Sequence, residues 1–182
     1  MDAFESLIAM LLRHDGYWTN ASLKVELTKA EKRQIELPSS PRWEIDLVAY
    51  KGSTNELLAV ECKSYLDSRG VVFKNGEFES PKRYKLFTNA TLRKVVLSRL
   101  VQQLTATGAC APKPTVTLCL AVGKIASGTD AEGLDARFKS EGWRLFTDVW
   151  IRDRLLKASG QGYENDIAFV VSKLLLRKAK SA

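Results

Sequence analysis

The chain has 182 residues, 45% apolar and 27% charged, with 28 Lys and Arg against 21 Asp and Glu and a formal net charge of +7. That length suits one well-buried α/β domain and is short for two, and the composition is ordinary for a soluble globular protein. No apolar run approaches bilayer-spanning length and the first residues do not read as a signal peptide, so a cytoplasmic location is expected, while the basic balance suits a polyanionic partner.

Phe4, Leu7, Ile8, Leu11 and Leu12 recur at helical spacing and predict an amphipathic helix over residues 2–14, ended near Gly16. His14, the only histidine, reads as a polar residue at that helix end and not as a ligand or general base. Residues 17–29 read as a strand, with Leu23, Val25 and Leu27 alternating against Lys24 and Glu26. Pro38-Ser39-Ser40-Pro41 is a loop, followed by strands at about 43–50 and 56–63 that the turn Lys51–Asn55 joins. Residues 64–90 look like an insertion, in which Val71-Val72-Phe73 and Glu77-Phe78 flank the hairpin signal Asn75-Gly76. A helix over 91–107 carries Leu92, Val95, Val96, Leu100 and Leu104. Thr115–Val122 is the clearest strand, near-continuously apolar as expected when both faces are covered. A helix at 130–141, a strand from Trp143 to Thr147, a helix from Asp148 and a last helix from about 165 complete a single domain, 1–182.

Two short runs carry the chemistry: Glu44-Ile45-Asp46-Leu47-Val48-Ala49, and Glu61-Cys62-Lys63 at the end of the next apolar strand. Regular alternation puts Ile45, Leu47 and Ala49 on one face and Glu44, Asp46 and Val48 on the other. On the second run Glu61 and Lys63 share a face, opposite Val60 and Cys62. Antiparallel pairing would bring Asp46 close to Glu61 and Lys63, two carboxylates and an ammonium on an apolar sheet. Such charges are costly to bury unless they pair or hold a metal. The three cysteines, Cys62, Cys110 and Cys119, have no paired spacing and read as reduced, mostly buried thiols, which argues against zinc.

The order α-β-β-β-α-β, with Asp46 on the second strand and Glu61-x-Lys63 on the third, resembles the PD-(D/E)XK nuclease superfamily. EIDLVA followed by VECKS looks most like the branch holding Holliday-junction resolvases and Mrr-type restriction enzymes. The resemblance covers about residues 2–122 and leaves a C-terminal helical extension at about 148–180. It implies a restriction-endonuclease-like αβββαβ core, with a mixed central sheet flanked by helices. It also implies a divalent-metal-dependent endonuclease acting on duplex or branched DNA. Mg²⁺ or Mn²⁺ would be held by Asp46, Glu61 and the Cys62 backbone carbonyl, with Glu5 a further candidate, and Lys63 would orient or activate water.

A basic run, Lys82, Arg83, Lys85, Arg93, Lys94 and Arg99, has Tyr84 and Phe87 interleaved, and Arg177, Lys178 and Lys180 lie near the other end. Of these, Lys82, Arg83, Tyr84, Lys85 and Arg93, with Ser64 and Tyr65 beyond the lysine, are candidates for nucleic-acid contact. Glu44 reads as a salt-bridge residue or a support for the site, Gln102 and Gln103 as helix-capping or surface residues, and Trp143, Phe146 and Trp150 as core or interface aromatics. Duplex cutting would call for a homodimer, whose face the apolar C-terminal helix could supply if it does not pack on the core. No base-reading module is visible, so a partner protein supplying sequence recognition is a further expectation. The competing reading is a nucleic-acid-binding module, or a subunit of a larger defence or repair assembly, with little activity alone.

Overall fold

A computed structural model describes residues 2–36, 42–162 and 165–176. Helix α1 (Ala3–His14) opens on a capping box: the Glu5 amide donates to Asp2 Oδ1 at 2.8 Å and the Asp2 amide to Glu5 Oε2 at 3.2 Å. Gly16, at φ +87°, then turns the chain into β1 (Trp18–Val25). Strands β2 (Trp43–Lys51) and β3 (Glu56–Lys63) follow, then a small hairpin of β4 (Phe73–Lys74) and β5 (Glu77–Phe78). A 3-10 turn (Pro81–Arg83), α3 (Lys85–Thr88) and α4 (Ala90–Ala106) lead to β6 (Thr115–Val122). Helix α5 (Gly128–Glu141), β7 (Arg144–Phe146), α6 (Asp148–Ser159) and α7 (Ile167–Leu176) complete the described chain.

The main sheet has five strands in the order β1-β2-β3-β6-β7. It is antiparallel from β1 to β3 and parallel from β3 to β7. One face carries α4, α5 and the hairpin through Leu92, Val96, Leu100, Leu134, Phe138 and Phe78. The other carries α1, α6 and α7 through Ile8, Leu11, Leu12, Ile151, Ala158 and Phe169. β6 serves both, with Leu118, Leu120 and Val122 in the first core and Cys119 and Ala121 in the second, as its continuous apolar run demands. Among the described residues no helix is long and apolar enough to cross a membrane.

Two expectations need correction. The first strand stops at Val25, because Thr28 caps a helix, α2 (Lys29–Gln34), in a second capping box with Glu31. Leu27 carries the apolar alternation two residues past the strand, which disguises that boundary. On β2 the alternation itself breaks. Leu47 and Ala49 pack in the α1 core as one set, but Ile45 lies with Val48 in the opposite core. The reversal sits at Asp46, opposite Ser22, whose φ is +52°, and β1 changes sides with it, from Ala21 to Leu23. Pro38–Pro41, Arg177, Lys178 and Lys180 fall outside the described residues.

The segment between β3 and α4 is stitched into the body. Asn75 (φ +53°) and Gly76 (φ +81°) make its tight turn. Val71 bridges Ile125 through hydrogen bonds to Lys124 O (3.0 Å) and from the Ala126 amide (2.9 Å). The Phe73 amide donates to Oδ1 of Asp130 at 2.6 Å, and the Ser127 hydroxyl donates to its other oxygen. On the far side of the molecule the Gln103 amide bonds Lys24 O (3.0 Å) and the Glu26 N–H (3.1 Å), and Arg99 Nε donates to Glu26 O at 2.9 Å.

Asp130 is only 3% exposed. The hydrogen bonds from Ser127 and the Phe73 amide hold its carboxyl below the usual carboxylate range. A depressed carboxyl stabilises the fold above its ordinary value, and that contribution is lost as pH falls through the lowered one. Asp130→Ala is expected to cost about 1–3 kcal/mol by leaving the Phe73 amide unpaired. Urea unfolding should show the gap from the wild type at neutral pH and its narrowing in acid.

Candidate active site

The β2–β3 ladder runs from Lys51↔Glu56 to Leu47↔Val60 and stops there. One residue further, Oδ2 of Asp46 accepts the Cys62 amide at 2.7 Å. A carboxylate thus takes the place of a backbone carbonyl where the strands part. A strand residue aims its N–H and C=O at the same neighbour, so the Cys62 carbonyl opens toward Asp46 as well.

Acidic groups gather around this point. Cys62 and Val60 face the α1 core, and Glu61 and Lys63 the opposite face, as the alternation on β3 predicts. Lys63 Nζ lies 2.7 Å from Glu61 Oε1, with the two side chains 21% and 17% exposed. Burial pushes the Glu61 carboxyl up; Lys63 pulls it back, Asp46 adds to the rise, and the net direction is upward. Burial works against the Lys63 ammonium, but Glu61 and Asp46 outweigh it and hold Lys63 above an ordinary lysine. The Cys62 thiol is raised by burial and then by Asp46, Glu5 and Glu61. Glu5 is itself raised by burial, and the Asp46 charge adds to that rise. Its carboxylate is engaged in the α1 capping box, so it contributes charge to the site from the helix end.

The exit from this point is tightly fixed. The Gly123 amide donates to Lys63 O at 3.0 Å. A Cβ on Gly123 would stand 2.2 Å from Ser64 O and 2.9 Å from Leu66 Cδ2. Only glycine fits there. Tyr65 follows at φ +45°, a conformation that non-glycine residues rarely adopt.

The basic candidates divide. Lys82, Arg83 and Lys85 are exposed, on the 3-10 turn and the start of α3. Tyr84 is buried, with its ring stacked on Phe78 at 4.0 Å, and reads as a packing residue. Arg93 donates to Leu86 O (3.0 Å) and lies over the Trp143 ring at 4.9 Å, which spends it on the joint between α3, α4 and β7. Ser64 is half-buried under Gly123, and Glu44 is exposed opposite Lys24. Gln103 braces β1 through Lys24 and Glu26. His14 ends α1 against Phe169, and all three cysteines are buried thiols. In α7 Phe169 packs on the core, whereas Ile167, Leu174 and Leu175 are exposed. The residue that sequence reasoning missed is Gly123, for which the abrupt end of the apolar run at Val122 was the available signal.

Comparison with protein families, with characterised proteins and with solved structures finds no match.

Gly123→Ala is expected to force the Ser64 carbonyl aside and to destabilise the fold by about 1–3 kcal/mol, as overpacking does. A thermal melt measures it, and an unchanged melting temperature would show that the strand exit is not rigid.

Proposed function

We propose that this chain is a divalent-metal-dependent nuclease of the PD-(D/E)XK type, hydrolysing phosphodiester bonds in DNA. The observation that carries this reading is the convergence of Asp46, Glu61 and Lys63 where β2 and β3 part. The sheet supports it: antiparallel over β1–β3, parallel beyond, and built in the order α1-β1-β2-β3-α4-β6 once α2 and the hairpin segment are set aside.

The donor set fits a hard cation. Asp46, Glu61 and the Cys62 carbonyl offer oxygen, the ligand type Mg²⁺ and Mn²⁺ prefer. Burial and the Asp46 charge raise the cost of ionising Glu61, and a bound cation would relieve it. Bound there, a divalent cation supplies neutralisation of the phosphate and activation of water. The chain's own part is then specific. Lys63 brings a permanent positive charge beside Glu61, placed to orient the attacking water or to offset charge building on the phosphate. Asp46 holds the strand ends in register through Cys62 with one oxygen and would offer the other to the cation. Lys82, Arg83 and Lys85 present exposed cations to the phosphate backbone.

A second reading, a DNA-gripping module that cuts little, is favoured by the closed Glu61–Lys63 pair, in which each group already has its counter-charge. One experiment separates the two. Labelled duplex, single-stranded and four-way-junction DNA is incubated with the protein in Mg²⁺, in Mn²⁺ and in EDTA. Cleavage should require metal, fall about 10²–10⁴-fold in Lys63→Ala, and vanish in Asp46→Asn, which keeps an acceptor for the Cys62 amide. Binding without cutting in either metal would move the reading to the module. The double variant Lys82→Ala, Arg83→Ala should weaken binding alone and reduce the slope of log affinity against log salt by about 2. Unchanged affinity would remove the turn from the binding surface.

A further inference from the structure

Immediately beyond Lys63 the chain encloses a cleft of about 220 Å³, with Tyr65 and Tyr84 on its wall, Arg69, Glu79 and Ser80 around it, and Arg83 alongside. The cleft adjoins the acids. Tyr65 on its wall lies two residues beyond Lys63, and burial, with the Glu61 charge adding to it, pushes the Tyr84 hydroxyl up. Its volume falls below the roughly 300–1,000 Å³ of pockets for drug-sized ligands, which suits one base with part of its sugar.

We propose that this cleft is a subsite for a single unpaired nucleotide next to the bond that is cut. The inference rests on the nuclease reading and adds a substrate class to it: strands with at least one unpaired base, whether single strands, flaps or branch points. Three features carry it. Tyr65 is held at a strained φ of +45° by the Ser68 amide and hydroxyl, both 3.2 Å from its carbonyl, so the backbone spends energy to keep this aromatic residue at the cleft. Such a ring is a stacking partner for any base. Arg69 Nη1 and Glu79 Oε1 form an exposed pair at 3.2 Å, which sets donors and an acceptor side by side, the pattern needed along a base edge. Arg83, exposed at the same cleft, supplies the cation for the nucleotide's phosphate. A paired base has its edge occupied and its faces stacked, so it has no entry.

The test is equilibrium binding in EDTA, where nothing is cut. Fluorescence anisotropy would compare a labelled single-stranded oligonucleotide with its duplex, and 2-aminopurine at successive positions would report stacking of one base. The proteins are the wild type, Ser80→Trp, which fills the cleft from an exposed position, and Glu79→Gln, which keeps its shape. The wild type should favour the single strand, with 2-aminopurine emission altered at one position. Ser80→Trp should lose about tenfold in single-strand affinity, the value of one stacked base, with duplex affinity and melting temperature unchanged. Glu79→Gln should lower the same preference, and serves if Ser80→Trp does not fold. Equal single-strand and duplex affinity in the wild type, or full discrimination by the variants, would overturn the subsite while leaving the nuclease reading intact. Binding of neither DNA would overturn both.

Discussion

Between β2 and β3 the ladder ends at Leu47 and Val60, and the next amide, that of Cys62, is taken by the Asp46 carboxylate at 2.7 Å. A charge-assisted bond of this kind is stronger than the neutral backbone bond it replaces, so the strands can separate without leaving a polar group unpaired. The separation opens the sheet on its plane, and acids from both faces act on the same point, Cys62: Glu5 from the end of α1 and Glu61 from the opposite face. Lys63 is the countercharge that makes this tolerable in the folded chain. The side reversal at Ser22 and Asp46 belongs to the same feature. A regular pleat would have kept Asp46 in the ladder.

The proposed chemistry draws on the resulting imbalance. Structural ion pairs are usually arranged so that each partner lowers the other's cost. Here Lys63 is stabilised in its charged form, but Glu61 is not, because burial and Asp46 outweigh the ammonium. A carboxylate left in that condition is a standing demand for more positive charge.

Much of this was legible in the sequence, for identifiable reasons. β6 could be read from its apolar run because a strand covered on both faces has no other composition. The hairpin was legible because Asn75-Gly76 takes the two positive φ angles that its turn needs. Asp46 and Glu61-x-Lys63 stood out because such charges are rare on strands so apolar. What escaped had physical causes. α2 was hidden because Leu27 mimics a further strand residue, although the Thr28-x-x-Glu31 box marks the helix start. The reversal on β2 was invisible because period-two reasoning assumes the regular pleat that Ser22 breaks. Arg93 and Tyr84 read as surface chemistry, yet one holds Trp143 and the other stacks on Phe78. A cation's partner lies too far along the chain for spacing to reveal it.

β1 is an outer strand of the sheet, and its last residues carry backbone groups that a neighbour would ordinarily take. Gln103 donates to Lys24 O and accepts from the Glu26 amide, the two bonds that one residue of a parallel strand would make astride Val25. Arg99 takes Glu26 O beside it. A helix side chain therefore impersonates one residue of a further strand. The end of this border is therefore closed to β-augmentation by another chain.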